Sequence, residues 1–213
     1  MTDTIIFDLD GTLLNTLEDL ADSVNHIMKL HGFPERTLDE IRSFIGNGVP
    51  TLIRRSLPSG TDEKTAEICT AEMLEYYRCH ARIKTKPYDG IIELIDELTK
   101  RNIRTAVVTN KAEKAAIILC NEIFGDIFTV VIGDNGVDRL KPAPDNVIRA
   151  IGILGAEKEN ILYVGDSDVD MVTADAAGLV SVGVTWGFRD EKDLVSSGAE
   201  HIINTPSELL DLI

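Results

Sequence analysis

The chain is short of positive charge: 21 Lys and Arg stand against 36 Asp and Glu, a formal net charge of −15. That balance argues against a nucleic-acid or anionic-membrane surface as partner. Cysteine is scarce too. Cys69, Cys79 and Cys120 are odd in number, widely spaced and form no Cys-x-x-Cys pair, so they read as reduced thiols filling a core rather than as a disulfide frame. His26, His31, His80 and His201 lack metal-ligand spacing and are expected on the surface or in packing. No apolar run approaches the length of a membrane span, and no basic stretch followed by an apolar segment opens the chain. The expectation is a soluble, cytoplasmic protein. Internal repeats and low-complexity segments are missing as well, which sets aside repeat architectures. The acidic excess itself reads mainly as solubility.

What is present is a set of apolar runs that each end in chemistry. Thr4-Ile5-Ile6-Phe7 reads as a buried strand and is followed by Asp8-Leu9-Asp10-Gly11-Thr12. Residues two apart in an extended chain face one side, so Asp8 and Asp10 emerge together. Two like charges that close are costly. They persist when a cation neutralises them or when one carboxyl keeps its proton for acid–base work. Asp-Gly can also simply end a strand as an Asx-turn, but three further runs repeat the pattern. Thr105-Ala106-Val107-Val108 delivers the hydroxyl of Thr109 and the amide of Asn110, with Lys111 next. Thr129-Val130-Val131-Ile132 is followed after a loop by Lys141-Pro142-Ala143-Pro144, and Ile161-Leu162-Tyr163-Val164 by Gly165-Asp166-Ser167-Asp168-Val169-Asp170. In an open parallel sheet the carboxyl ends of the strands line one crevice, where ligands bind.

The rest of the pattern fits one organisation. At 213 residues the chain can form a core domain with a smaller insert. Residues 17–83 hold no convincing strand. Helices are expected over about 17–31, with Thr16 as N-cap and Gly32 as stop, and at about 38–44, 49–57 and 64–80. From Gly90 onward helix and strand alternate, with helical faces at 91–98 and 112–124. Further helices are expected near 144–153, 169–177, 190–197 and 206–212, and strands near 180–184 and 201–203. Alternation of this kind implies an α/β fold with a parallel sheet.

The four motifs, in order and each after a strand, resemble those of the haloacid dehalogenase-like superfamily, and within it the phosphoglycolate phosphatase group. Lesser points of likeness are Gly46-Asn47-Gly48, Pro87-Tyr88-Asp89-Gly90 and Val184-Thr185-Trp186-Gly187. The resemblance spans essentially the whole chain. It implies a Rossmann-like parallel-sheet core, residues 1–15 with 84–213, and an inserted α-helical cap domain over 16–83. It also implies a phosphomonoester hydrolase dependent on Mg²⁺ and acting on a small phosphorylated metabolite, 2-phosphoglycolate being favoured. A pyrophosphatase or nucleotide phosphatase of the same superfamily is the alternative. Dehalogenases and phosphonate-cleaving relatives lack the carboxylate equivalent to Asp10. Mutases carry an early cap His that is missing here, and a non-catalytic binding protein would not need the intact set.

On this resemblance Asp8 is the nucleophile that forms an aspartyl-phosphate, and Asp10 is the acid that later serves as base. Thr109, Asn110 and Lys141 hold the phosphoryl oxygens. Mg²⁺ is held by Asp8, the main-chain carbonyl of Asp10, and Asp166, with Asp170 supporting the metal or Lys141 from outside the ligand set. Asp168 is expected as a solvated residue or a cap. Lys111 stays open between an exposed helix residue and a cation near the phosphate, and Trp186 between the cap interface and the core. In the cap, Gly46 and Asn47 precede a helix expected to start near Val49. Its N-terminus could receive the substrate's carboxylate, with Asn47 or Arg55 assisting. The other reading of that segment is an ordinary turn with Arg55 in a surface ion pair.

Overall fold

The computed structural model describes residues 2–213, which form two compact units: one runs up to Leu14 and resumes at Pro87–Ile213, the other is Asn15–Lys86. The chain enters as β1 (Thr4–Phe7), and the two crossings between units, β2 (Leu14–Asn15) and β3 (Lys86–Pro87), pair as a short two-stranded sheet. Beyond Pro87 come α5 (Ile91–Lys100), β4 (Arg104–Ala112), α6 (Glu113–Phe124), β5 (Val130–Asp134), α7 (Asp145–Leu154), β6 (Ile161–Gly165), α8 (Asp168–Ala177), β7 (Val180–Val184), α9 (Glu191–Ser196) and β8 (His201–Ile203).

The six long strands make a parallel sheet in the order β5-β4-β1-β6-β7-β8. β1 is buried along its whole length because both faces of the sheet are covered. Alternate residues divide between those faces. Ile5 and Phe7 join Leu94, Leu98, Ala116 and Leu119 of α5 and α6, while Ile6 joins Val147, Ala150, Ala174 and Ala177 of α7 and α8. Each large side chain so buried is worth about 1.5–3 kcal/mol relative to exposure. The strand order also reverses beside β1, and its neighbours β4 and β6 end alongside it. The carboxyl ends of these strands are therefore at a topological switch point, the general position of ligand sites in such sheets.

The second unit is helical: α1 (Leu17–Leu30), α2 (Leu38–Phe44), α3 (Gly48–Ser56) and α4 (Glu63–His80), with α1 and α3 packed on α4. Leu20, Val24, Ile27 and Met28 of α1 are buried, as are Ile41, Ile53, Cys69 and Met73. Thr37 and Glu40 form a capping box on α2, and Asp62 caps α4 by accepting the Thr65 N–H. Asp19, fully buried in the first turn of α1, accepts N–H bonds from Lys84 and Thr85 and the Thr85 hydroxyl at 2.8–3.1 Å. A buried carboxylate is tolerable there because those donors replace its lost water.

Some expectations change. Pro206–Asp211 is a 3₁₀-helix rather than an α-helix, a tighter coil suited to six residues. The Thr16 side chain makes no cap bond to α1, and α3 starts at Gly48 with Asn47 at its N-cap. Cys79 is exposed, whereas Cys69 and Cys120 are buried as expected of core thiols. Among the described residues no helix is long and apolar enough to cross a membrane.

Candidate active site

Asp8 follows β1 directly and its N–H bonds to Val164 O on β6 at 2.9 Å, so the sheet ladder itself delivers this side chain beside the end of β6. Lys141, on the loop between β5 and α7, lies with Nζ 2.8 Å from Asp8 Oδ1 and 2.7 Å from Asp170 Oδ1. The ammonium meets Asp8 as an ion pair but at a poor hydrogen-bond angle, which leaves the buried Asp8 Oδ1 without a well-directed donor. Asp170 is fully committed. Its Oδ1 also accepts the Tyr163 hydroxyl at 3.2 Å, and its Oδ2 accepts the Ser167 N–H at 3.1 Å and hydroxyl at 2.6 Å. Asp166, 1 % exposed, takes the Thr12 hydroxyl on Oδ1 at 3.1 Å and the Phe188 N–H on Oδ2 at 2.8 Å.

Asp8, Asp166 and Asp170 each offer a carboxylate oxygen within 4.8 Å of the others. Three buried carboxylates face one buried ammonium, a local surplus of negative charge. Burial pushes the Asp8 carboxyl up to about 7 although Lys141 opposes it, and Asp170 adds to the rise. Burial, reinforced by Asp170 and Asp8, also holds Asp166 well above the usual carboxylate range. Burial works against the Lys141 ammonium, but Asp170 and Asp8 outweigh it and hold its pKa well above the ordinary lysine value. A divalent cation fits this arrangement: it would cancel the surplus and use the unaligned Asp8 oxygen. With Asp170 spent on Lys141, Tyr163 and Ser167, Asp8 and Asp166 are the carboxylates best able to ligate it.

Two glycines make room. At Gly11, where φ is +95°, an added Cβ would lie 2.3 Å from Asp166 Oδ2, and at Gly187 it would lie 2.3 Å from Asp166 Cβ. Only a backbone without side chains approaches Asp166 from both sides.

Asp10 is held by Lys111, whose Nζ lies 2.9 Å from Oδ1 and 3.3 Å from Oδ2. Lys111 is on β4 and only 8 % exposed, so the reading of it as an exposed helix residue is wrong. The pairing of β4 with β5 shifts register between Val108 and Ala112, and that irregularity spans Thr109, Asn110 and Lys111, as bulges next to sites often do. The Thr109 hydroxyl accepts the Lys111 N–H at 3.2 Å and can still donate its own proton outward.

Asn110 has a role the sequence did not signal. Its Oδ1 accepts the Lys141 N–H at 2.8 Å and its Nδ2 donates to Lys141 O at 3.0 Å, so the side-chain amide holds main chain through its oxygen and one of its two N–H donors. Asp168 is not the cap of α8. Ser167 is, in a capping box with Asp170, and Asp168 pairs with Arg189 at 3.3 Å. Trp186 packs against the core and donates from Nε1 to Thr12 O at 3.0 Å.

Gly46, Asn47 and Arg55 belong to the helical unit. Asn47 makes no side-chain cap bond on α3, and Arg55 donates to Phe44 O at 3.0 Å, a main-chain carbonyl rather than the surface ion pair of the alternative reading. His31 pairs with Glu72 at 2.5 Å, and His26 and His80 stack on Tyr76, so these histidines serve packing and surface pairing. The residues for which no role was assigned from sequence are Thr12, Tyr163, Ser167 and Phe188. Of these, Ser167 carries a legible signal, its capping-box spacing to Asp170.

Residues 5–184 match the family model of the haloacid dehalogenase-like hydrolases, and the chain belongs to that family. Among particular proteins, phosphoglycolate phosphatase 1 of Pseudomonas aeruginosa is 30 % identical over 97 % of this chain and 78 % of its own length. A solved structure described as a predicted phosphoglycolate phosphatase of Haemophilus somnus superposes with a TM-score of 0.90 at 27 % identity, covering 99 % of this chain and 97 % of that one. CbbY of Rhodobacter sphaeroides, solved in complex with phosphate, gives a TM-score of 0.77 at 26 % identity, covering 98 % and 96 %.

Proposed function

We propose that the chain is a Mg²⁺-dependent phosphatase that hydrolyses a small phosphomonoester, 2-phosphoglycolate being the favoured substrate, in the cytoplasm. The observation that carries the reading is the buried cluster in which Lys141 Nζ bridges Asp8 and Asp170 beside Asp166. It combines an available carboxylate oxygen with one fixed cation and a place for another.

In the proposed reaction an Asp8 oxygen attacks phosphorus, the bond to the leaving oxygen breaks, and Asp10 gives that oxygen its proton. Asp10, held by Lys111, then takes a proton from water as the water attacks phosphorus. The bond to Asp8 breaks and inorganic phosphate leaves. Lys141, the Thr109 hydroxyl and main-chain N–H groups would steady the phosphoryl oxygens, whose charge grows in the transition state. A bound Mg²⁺, held by Asp8, Asp166 and the Asp10 carbonyl with Asp170 in support, would neutralise those oxygens and the clustered carboxylates. The Asn15–Lys86 unit is proposed as the cap that selects the substrate, with Gly46, Asn47 and the start of α3 as candidate ligands for its carboxylate and Arg55 assisting.

The test is kcat/KM over a panel of 2-phosphoglycolate, other phosphometabolites, nucleoside monophosphates and pyrophosphate, in Mg²⁺ and in excess EDTA. Hydrolysis of phosphomonoesters with 2-phosphoglycolate leading, abolished by EDTA, is expected. Full activity in EDTA would contradict the metal requirement, and a preference for pyrophosphate or nucleotides would move the substrate.

A further inference from the structure

We propose that Asn110 is a positioning residue for Lys141: its amide fixes the lysine's main chain so that the ammonium meets Asp8 and Asp170. This rests on the phosphatase reading above and adds to it a residue that acts without touching substrate.

Lys141 lies outside any helix or strand, on the connection between β5 and α7, so no ladder of hydrogen bonds sets its height above the sheet. Its side-chain end is fixed by two carboxylates at 2.7 and 2.8 Å, and its main-chain end by Asn110 at 2.8 and 3.0 Å. Both residues are buried. A carboxamide suits this task because it offers an acceptor and a donor side by side, matching the N–H and C=O of one residue. Aspartate lacks the donor, and serine is shorter and has one oxygen for both roles. Asn110 also sits where the β4–β5 register shifts, so the clamp ties the Lys141 loop to the strand segment that carries Thr109 and Lys111.

The experiment is a double-mutant cycle with Asn110→Ala, Lys141→Ala and the double variant, measuring kcat/KM for p-nitrophenyl phosphate in Mg²⁺ and, by calorimetry, the affinity for orthophosphate. A misplacement of about 1 Å can cost on the order of 10²-fold, and a loss of that size is expected for Asn110→Ala in the wild-type background. In the Lys141→Ala background the same change should cost less than about twofold, because the group it positions is gone. Losses that multiply would mean that Asn110 meets the phosphoryl group itself and would overturn the inference. The orthophosphate arm reads the cycle if Lys141→Ala has no measurable turnover. Asn110→Ser replaces Asn110→Ala if the latter fails to fold. A wild-type protein with neither turnover nor phosphate binding would instead remove the functional reading, and this inference with it.

Discussion

Gly11 is among the tightest points in the cluster. An added methyl group would occupy the space of the Asp166 carboxylate, and the φ of +95° disfavours any side chain. Gly11→Ala should therefore lower kcat by about 10²-fold, by displacing Asp166 on the order of an ångström, and cost about 1–3 kcal/mol of stability from backbone strain. Steady-state kinetics and urea melts check the two parts, and unchanged kcat would show that Asp166 needs no such clearance. At this scale the sequence was legible where a residue type has one use. Paired carboxylates at a strand end announce a charged site, and Asp8 and Asp166 stand in one. Asn110 and Lys111 were not legible in the same way. An amide can serve a ligand or a main chain, and a lysine beside a helix can lie in solvent or turn inward to Asp10. Both lie in the register shift of β4, which is invisible in local pattern.

Among the elements, α1 is fastened by one residue with no apolar role. Asp19 accepts four contacts from Lys84 and Thr85, the segment just before β3. Removing it takes the acceptor from two main-chain donors, Lys84 N–H and Thr85 N–H, and from the Thr85 hydroxyl. Asp19→Ala should cost about 2–3 kcal/mol, in line with hydrogen bonds to a charged acceptor, and denaturant unfolding would measure it. A loss below about 0.5 kcal/mol would mean that water replaces the carboxylate. Nothing in local pattern marks Asp19 for this, since acidic residues are common in first helical turns for their favourable charge alone. Most elements were legible because their periods are clear, continuous apolar runs for β1 and β6 and helical spacing for α1 and α5. At Pro206–Asp211 the helix was legible but its type was not, because one short amphipathic stretch satisfies both 3₁₀ and α spacing.

Across the whole molecule, α/β alternation after Gly90 and a strand-free stretch before it pointed to a parallel sheet with a helical insert. The structure has a six-stranded parallel sheet in one unit and four helices in the other. Strand order was beyond local pattern: it depends on which strands pair, and pairing is settled by the packing of both faces together. That order sets β1 between β4 and β6, and so gathers residues more than 100 positions apart. The central claim is that Asp8 is the nucleophile of a phosphatase. The measurement that tests it most directly is the initial rate of orthophosphate release from 2-phosphoglycolate and p-nitrophenyl phosphate in Mg²⁺, for the wild-type protein and for Asp8→Asn. The Asn variant is checked for folding by its melting curve and for reversion to Asp by mass spectrometry. The amide keeps the shape but is a poor nucleophile, so kcat should fall by on the order of 10³-fold or more on both substrates. Wild-type rates from a folded, unreverted Asp8→Asn protein would contradict it.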